Sequence, residues 1–199
     1  KTSTTSNFSF KRYEHVNNIV EENDSFNRAD YKLEFPLKQD KLLAAYRLRA
    51  NVFCRELKWV GNENTQFEID EFDKFSNHLG VSTPNNDIVG TFRFTSHRHQ
   101  WLMEKYFSQL LPSNFSALKT KNSAEVSRMA IENDLRSHSV ADGKAIVELL
   151  YRGIYEYSRT NNVSQVYIVV STAVLRHLKM HRMPVRALGD TVVMKDGIK

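Results

Sequence analysis

The chain has 199 residues, 41% hydrophobic and 26% charged, with a net charge of +5; this fits one domain with a core of ordinary size and excludes a disordered or fibrous chain. No apolar run approaches bilayer length, no apolar leader is visible and Cys54 is the single cysteine, so a cytoplasmic protein without transmembrane segment or internal disulfide is expected. The positive charge could suit nucleic acid, an anionic membrane, an acidic protein or no partner at all, but it is spread along the chain without a basic block, which argues against a nucleic-acid-binding tail.

Residues 1–30 are rich in Ser, Thr and Asn and read as a polar N-terminal extension, flexible at its start. Within it Phe8, Phe10, Tyr13, Val16, Ile19 and Val20 could form a short amphipathic turn or helix. Residues 31–199 read as the single folded domain. Tyr31 to Phe35 alternates as a strand does and Pro36 stops it. Lys38 to Trp59 carries Leu42, Leu43, Tyr46, Leu48, Val52, Phe53 and Leu57 at helical spacing. His78 to Ser82 and Ile88 to Thr95 are β-type runs around Pro84-Asn85-Asn86-Asp87, which predicts a hairpin. A helix is expected from Trp101 to Leu111, ended by Pro112, and a strand over Ala124 to Ile131. Lys144 to Arg159 gives the clearest amphipathic helix, Val166 to Val170 a buried strand, Thr172 to Met180 a short helix, and Val185 to Met194 the last strand material. This order predicts an α/β domain with a central mixed sheet flanked by helices.

Polar residues concentrate at three places. Arg49 and Phe53 lie four apart on one helix face, and a guanidinium there needs a carboxylate if it is to be buried. Glu68-Ile69-Asp70-Glu71-Phe72-Asp73 places Asp70 and Asp73 three apart just before a strand. In Glu125-Val126-Ser127-Arg128, an extended chain puts Glu125 and Ser127 on one face and Arg128 on the other, so a bulge is needed to unite Glu125 with Arg128. Arg93 stands inside a β run. Each motif alone reads more readily as structure or solvated surface than as a site; together they predict a buried charge network, and such networks often mark a site. His78, His97 and His99 have no metal-ligand spacing, so no metal site is expected, and Cys54 reads as a buried structural thiol.

The ordered set Tyr46-Arg47-Leu48-Arg49-Ala50-Asn51-Val52-Phe53 with Trp59, the acidic segment 68–73, Gly90-Thr91-Phe92-Arg93 and Glu125-Val126-Ser127-Arg128 resembles the acyl-homoserine-lactone (autoinducer) synthases. Ser76-x-His78 and Ala124-Glu125-Val126-Ser127-Arg128-Met129-Ala130 resemble the related N-acyl amino acid synthases instead. The resemblance implies a three-layer, acetyltransferase-like (GNAT-like) fold. It implies an N-acyltransferase that takes an acyl thioester from acyl carrier protein, or from coenzyme A, to the amine of S-adenosylmethionine or of a plain amino acid. No tightly bound cofactor is implied. With S-adenosylmethionine, lactone closure would release methylthioadenosine. In the residues that match, it implies Glu125 as proton acceptor, directly or through a water, and Arg128 as the second catalytic residue. Arg49, Asp70, Asp73, Arg93 and Arg128 would hold the acceptor, and Phe53 and Trp59 would wall its pocket, where aromatic faces suit a sulfonium. Met129, Leu149, Val170 and Ser171 are the expected acyl-pocket residues. Lys144, Arg152 and Arg159 on one face of the long helix, with Arg176, Lys179 and Arg182 near the next, are the expected docking surface for the acidic carrier protein. The segment from Asp134 to Gly143 lacks the glycine-rich loop that cradles coenzyme A pyrophosphate in ordinary acetyltransferases, which favours the carrier. A non-catalytic binding domain on the same fold is the remaining alternative.

Overall fold

The computed structural model describes residues 2–9, 31–137 and 139–193. One mixed sheet runs through these segments in the order β2 (Lys32–Glu34), β3 (Ser76–Ser82), β4 (Ile88–Ser96), β5 (Ser123–Ile131), β6 (Gln165–Ser171), β1 (Thr2–Ser9) and β7 (Val185–Ala187), with β8 (Val192–Val193) also paired to β1. Neighbours from β2 to β5 are antiparallel, β5 and β6 are parallel, and β1 runs antiparallel to β6, β7 and β8. The helices are α1 (Gln39–Arg49), α2 (Leu102–Tyr106), α3 (Phe115–Leu118), α4 (Asn133–Ser137), α5 (Val140–Thr160) and α6 (Thr172–Met180).

Side chains alternate across each strand, so the sheet has two unlike faces. One carries Leu79, Val81, Phe92, Phe94 and Val126 against Ile146, Leu150, Ile154 and Tyr157 of α5, with the Phe94 and Tyr157 rings stacked 3.7 Å apart. Gly153 lets α5 lie close to β3: a Cβ there would stand 2.3 Å from Leu79 Cδ1. The other face carries His78, Arg93, Thr95, Glu125 and Tyr167 and is covered in two patches. Ala45, Leu48, Val52 and Phe53 cover one end, and Phe72, Trp101, Met103, Phe107, Leu110 and Phe115 cover the other. Polar side chains fill the space between them.

Two departures from the sequence reading follow from tertiary contacts. The N-terminal stretch expected to be flexible at its start includes β1, which sits between β6 and β7; Phe8 belongs to that strand, while Phe10, Tyr13, Val16, Ile19 and Val20 lie outside the described residues. The helix expected over Trp101 to Leu111 is instead α2 followed by a 3₁₀ turn at Ser108–Leu110, because Phe107 (φ −132°) leaves the helical region before Pro112. The Lys38 to Trp59 helix runs as α1 and then widens into a π-helical segment, Ala50–Glu56, closed by Leu57 N–H donating to Val52 O. Such π segments concentrate at functional sites. Of the C-terminal strand material, β7 and β8 are formed and Met194 lies outside the described residues.

Candidate active site

At the junction of α1 and the π segment, Arg49 turns its guanidinium under the sheet face, where it is 1% exposed. Its Nε donates to Glu68 Oε2 at 2.6 Å, and its two terminal nitrogens grip Asp73 at 2.7 and 3.0 Å. Arg93, fully buried on β4, donates to both Asp70 oxygens, to Asp73 Oδ1 at 2.7 Å and to Ser127 Oγ at 2.9 Å. Arg128 reaches Glu68 Oε1 and Asp70 Oδ2, both at 3.0 Å. Three guanidiniums thus meet three carboxylates, and the cluster carries no net charge. That balance is what allows so many ions to leave water. Asp73 shows it: burial would raise its pKa, but the Arg49 hydrogen bonds and the Arg49 and Arg93 charges win and hold it at about 2.

Arg128 depends on a break in strand regularity. Between the pairs Thr91↔Ala130 and Arg93↔Ser127, β4 has one residue and β5 has two, and Arg128 takes φ +57°. This bulge turns the side chain toward the network, with its guanidinium carbon 5.5 Å from the Phe53 ring centre. Trp59 stacks on Phe53 at 6.1 Å. Beside them the sheet opens: β5 and β6 pair at Ser123↔Gln165, Ala124↔Val166 and Glu125↔Tyr167, and the ladder stops there. Past Glu125 a wedge separates the two strands.

A family model described as autoinducer synthase matches residues 35–198. The chain belongs to the autoinducer synthase family. An acyl-homoserine-lactone synthase of Vibrio anguillarum is 26% identical over 156 residues, covering 78% of this chain and 80% of that protein. One of Aliivibrio fischeri is 27% identical over 145 residues, covering 72% and 74%. Among solved structures, the AHL synthase LasI superposes with a TM-score of 0.69 at 20% identity, over 84% of this chain and 85% of LasI. A structure titled as a CoA-dependent acyl-homoserine lactone synthase, MesI, superposes at 0.62 and 18% identity, over 83% and 84%. The expected acyltransferase-like sheet is therefore the fold observed, and the protein is an acyltransferase of the autoinducer-synthesis, quorum-sensing class.

Within this enzyme the sequence-predicted residues divide. Arg49, Asp70, Asp73, Arg93 and Arg128 form one network, and Phe53 and Trp59 stack at its edge. Glu125 and Arg128, both expected to be catalytic, have different partners: Arg128 pairs with Glu68 and Asp70, while the Glu125 carboxylate accepts backbone N–H bonds from Leu102 and Met103, both at 2.8 Å. Met129, Leu149 and Val170 border the cluster under α5, whereas Ser171 caps α6, accepting from Val174 N–H at 3.3 Å. It is drawn away from that group because it stands on the other side of β6 from Val170. Lys144, Arg152 and Arg159 are exposed on α5; Lys144 and Arg159 face Glu148 and Glu156 at 3.8 and 3.0 Å. Glu68 is the member that sequence reading left unassigned: it bridges Arg49 and Arg128, and the alternation of Glu68 and Asp70 around exposed Ile69 was its only signal. Cys54 is buried, which pushes its thiol pKa up.

His78 is buried among Tyr46, Asp73, Arg49 and Arg93, and neither ring nitrogen has a hydrogen-bond partner among the described residues. Burial lowers its pKa from 6.5 to about 4. As pH falls below 6.5 the unfolded chain takes up a proton that the folded one refuses until about 4, so His78 drains stability across that window. Glu125 acts oppositely: burial raises it from 4.5 to about 7, so its contribution is full below 4.5 and is lost as pH rises to about 7. Between 4.5 and 6.5 the two cancel in part. His78→Gln is therefore expected to make unfolding free energy decline with rising pH over that range more steeply than in the unmodified chain. Urea titrations at several pH values measure this; parallel profiles would contradict it.

Proposed function

We propose that this enzyme moves a fatty acyl group from the thioester of acyl carrier protein to the α-amine of S-adenosylmethionine and releases an N-acyl-homoserine lactone. The observation that carries the reading is the wedge between β5 and β6 with the neutral arginine–carboxylate network and the Phe53–Trp59 stack beside it. A thioester lying in the wedge would present its carbonyl to backbone N–H groups of the open strand, a setting that stabilises an oxyanion. A sulfonium is suited by the faces of Phe53 and Trp59, and its negative partner group by Arg128. Asp70, the most exposed carboxylate of the network, suits the ammonium end.

The amine nitrogen attacks the thioester carbonyl carbon. The C–S bond breaks, and the carrier thiol leaves with a proton. The carboxylate of the acylated S-adenosylmethionine then attacks its own γ-carbon, the C–S bond to the sulfonium breaks, and neutral methylthioadenosine leaves as the lactone closes. An α-amino group titrates at about 7.7–8.0, so free amine is present near neutral pH and its proton can pass to water. The acyl chain would lie against Met129, Leu149 and Val170, which border one apolar cluster.

Two features favour carrier protein over coenzyme A. Ser139 and Asp142 close the first turn of α5 on themselves, with the Asp142 carboxylate where an acetyltransferase would receive a pyrophosphate. Exposed Lys144, Arg152 and Arg159 on α5, and Arg176, Lys179 and Arg182 on and after α6, suit an acidic protein. Mass spectrometry of lipid extracts from cells expressing the chain tests the acceptor. Lactones are expected; free N-acyl amino acids in their place would reassign it.

A further inference from the structure

We infer that Glu125 is a positioning residue that fixes the start of α2 against the mouth of the wedge, and that it does not take the proton from the amine. The inference rests on the acyl-transfer reading above but concerns how this chain builds the site.

Helix α2 begins at Leu102, after Trp101. The first N–H groups of a helix have no partner inside it and are normally met by an Asp, Asn, Ser or Thr at the cap. Trp101 has no side-chain acceptor, and in place of a cap Glu125 reaches across from β5. Its Oε2 accepts from Leu102 N–H and its Oε1 from Met103 N–H, each at 2.8 Å. Both oxygens are committed and the residue is 1% exposed, so it offers no open face to a substrate.

Its place in the sheet gives this contact its consequence. Glu125 pairs with Tyr167 at the last rung of the β5–β6 ladder, where the wedge opens. Tyr167 stands 5.3 Å from the Trp101 ring and donates its hydroxyl hydrogen to Leu118 O at 2.9 Å. Glu125 and Tyr167 together tie the covering segment to both strands at the point where they part. Without the carboxylate two buried N–H donors lose their acceptors, α2 is free to shift, and the wedge loses its fixed width.

Glu125→Gln separates this role from proton transfer. Glutamine can accept one of the two N–H bonds but presents a donor to the other. The expected result is a loss of kcat/KM of about 10-fold or more that stays the same from pH 8 to 9, where the unmodified Glu125 carboxyl, raised to about 7, is ionised, with a raised KM for the acyl donor. A missing base would be relieved by alkali, because the amine is then already deprotonated; activity that returns toward the unmodified level at pH 9 overturns the inference. Amide hydrogen exchange on the unmodified enzyme needs no variant. Leu102 and Met103 amides should be protected there and should exchange faster in Glu125→Gln, and fast exchange in the unmodified enzyme also overturns the inference. If the unmodified enzyme forms no acylated product, the functional reading fails, while the exchange measurement still decides whether Glu125 holds α2.

Discussion

Replacing Asp73 with alanine is expected to destabilise the fold by about 3–5 kcal/mol, the range for removing one partner from a buried ion pair. Asp73 accepts two bonds from Arg49, one from Arg93 and one from the Asp70 backbone N–H at 2.7 Å. Its loss leaves two guanidiniums, both nearly or wholly out of water, with an uncompensated positive charge. Arg49→Ala removes one of those charges, so the double variant should be far less damaged than the sum of the singles. A coupling of about 1–3 kcal/mol is expected for residues in one network. Urea unfolding of the four proteins measures it, and activity should be lost in all three variants. A double variant whose loss equals the sum of the singles would show that Arg49 and Asp73 act independently.

Arg128→Ala is expected to leave the fold in place and to lower kcat/KM by about 10²-fold or more, as does removal of a charged group that holds the reacting partner. Arg128 is partly exposed, so its removal strands less charge than that of Arg49 or Arg93. Its backbone provides an internal control. At φ +57° a residue with a Cβ is strained, and glycine relieves that strain by about 1 kcal/mol. Arg128→Gly should therefore be more stable than Arg128→Ala yet equally inactive. Thermal melts and initial rates on the pair separate the bulge from the guanidinium. An active glycine variant would remove Arg128 from substrate handling.

The charge network was legible in the sequence because charged side chains in apolar periodic segments cannot be buried alone. Arg49 shares a helix face with Phe53, and Arg93 lies between Phe92 and Phe94, so each needed acids, and the 68–73 segment supplies them. The need for a bulge at Arg128 was also visible, since strand alternation sends it the wrong way; the bulge brings it to Glu68 and Asp70 and not to Glu125. Two kinds of feature were hidden. The first is any partner that is backbone: the N–H groups of Leu102 and Met103 have no sequence signature, so Glu125 could be read only by its motif. The second is structure imposed by distant pairing. Thr2–Ser9 has few aliphatic residues and reads as an extension, but its backbone completes the sheet between β6 and β7. Similarly, the long helix expected after Trp101 gives way to α2 and a 3₁₀ turn, whose packing against Tyr167 outweighs helix propensity.

Acyl transfer to S-adenosylmethionine is decided by a reconstituted reaction. Purified enzyme, S-adenosylmethionine and an acyl thioester, offered either on acyl carrier protein or on coenzyme A, would be followed by mass spectrometry for lactone and methylthioadenosine. The two products are expected in equal amounts, with carrier protein the better donor. Acylation of a plain amino acid without methylthioadenosine, or no acylated product from either donor, would contradict this expectation.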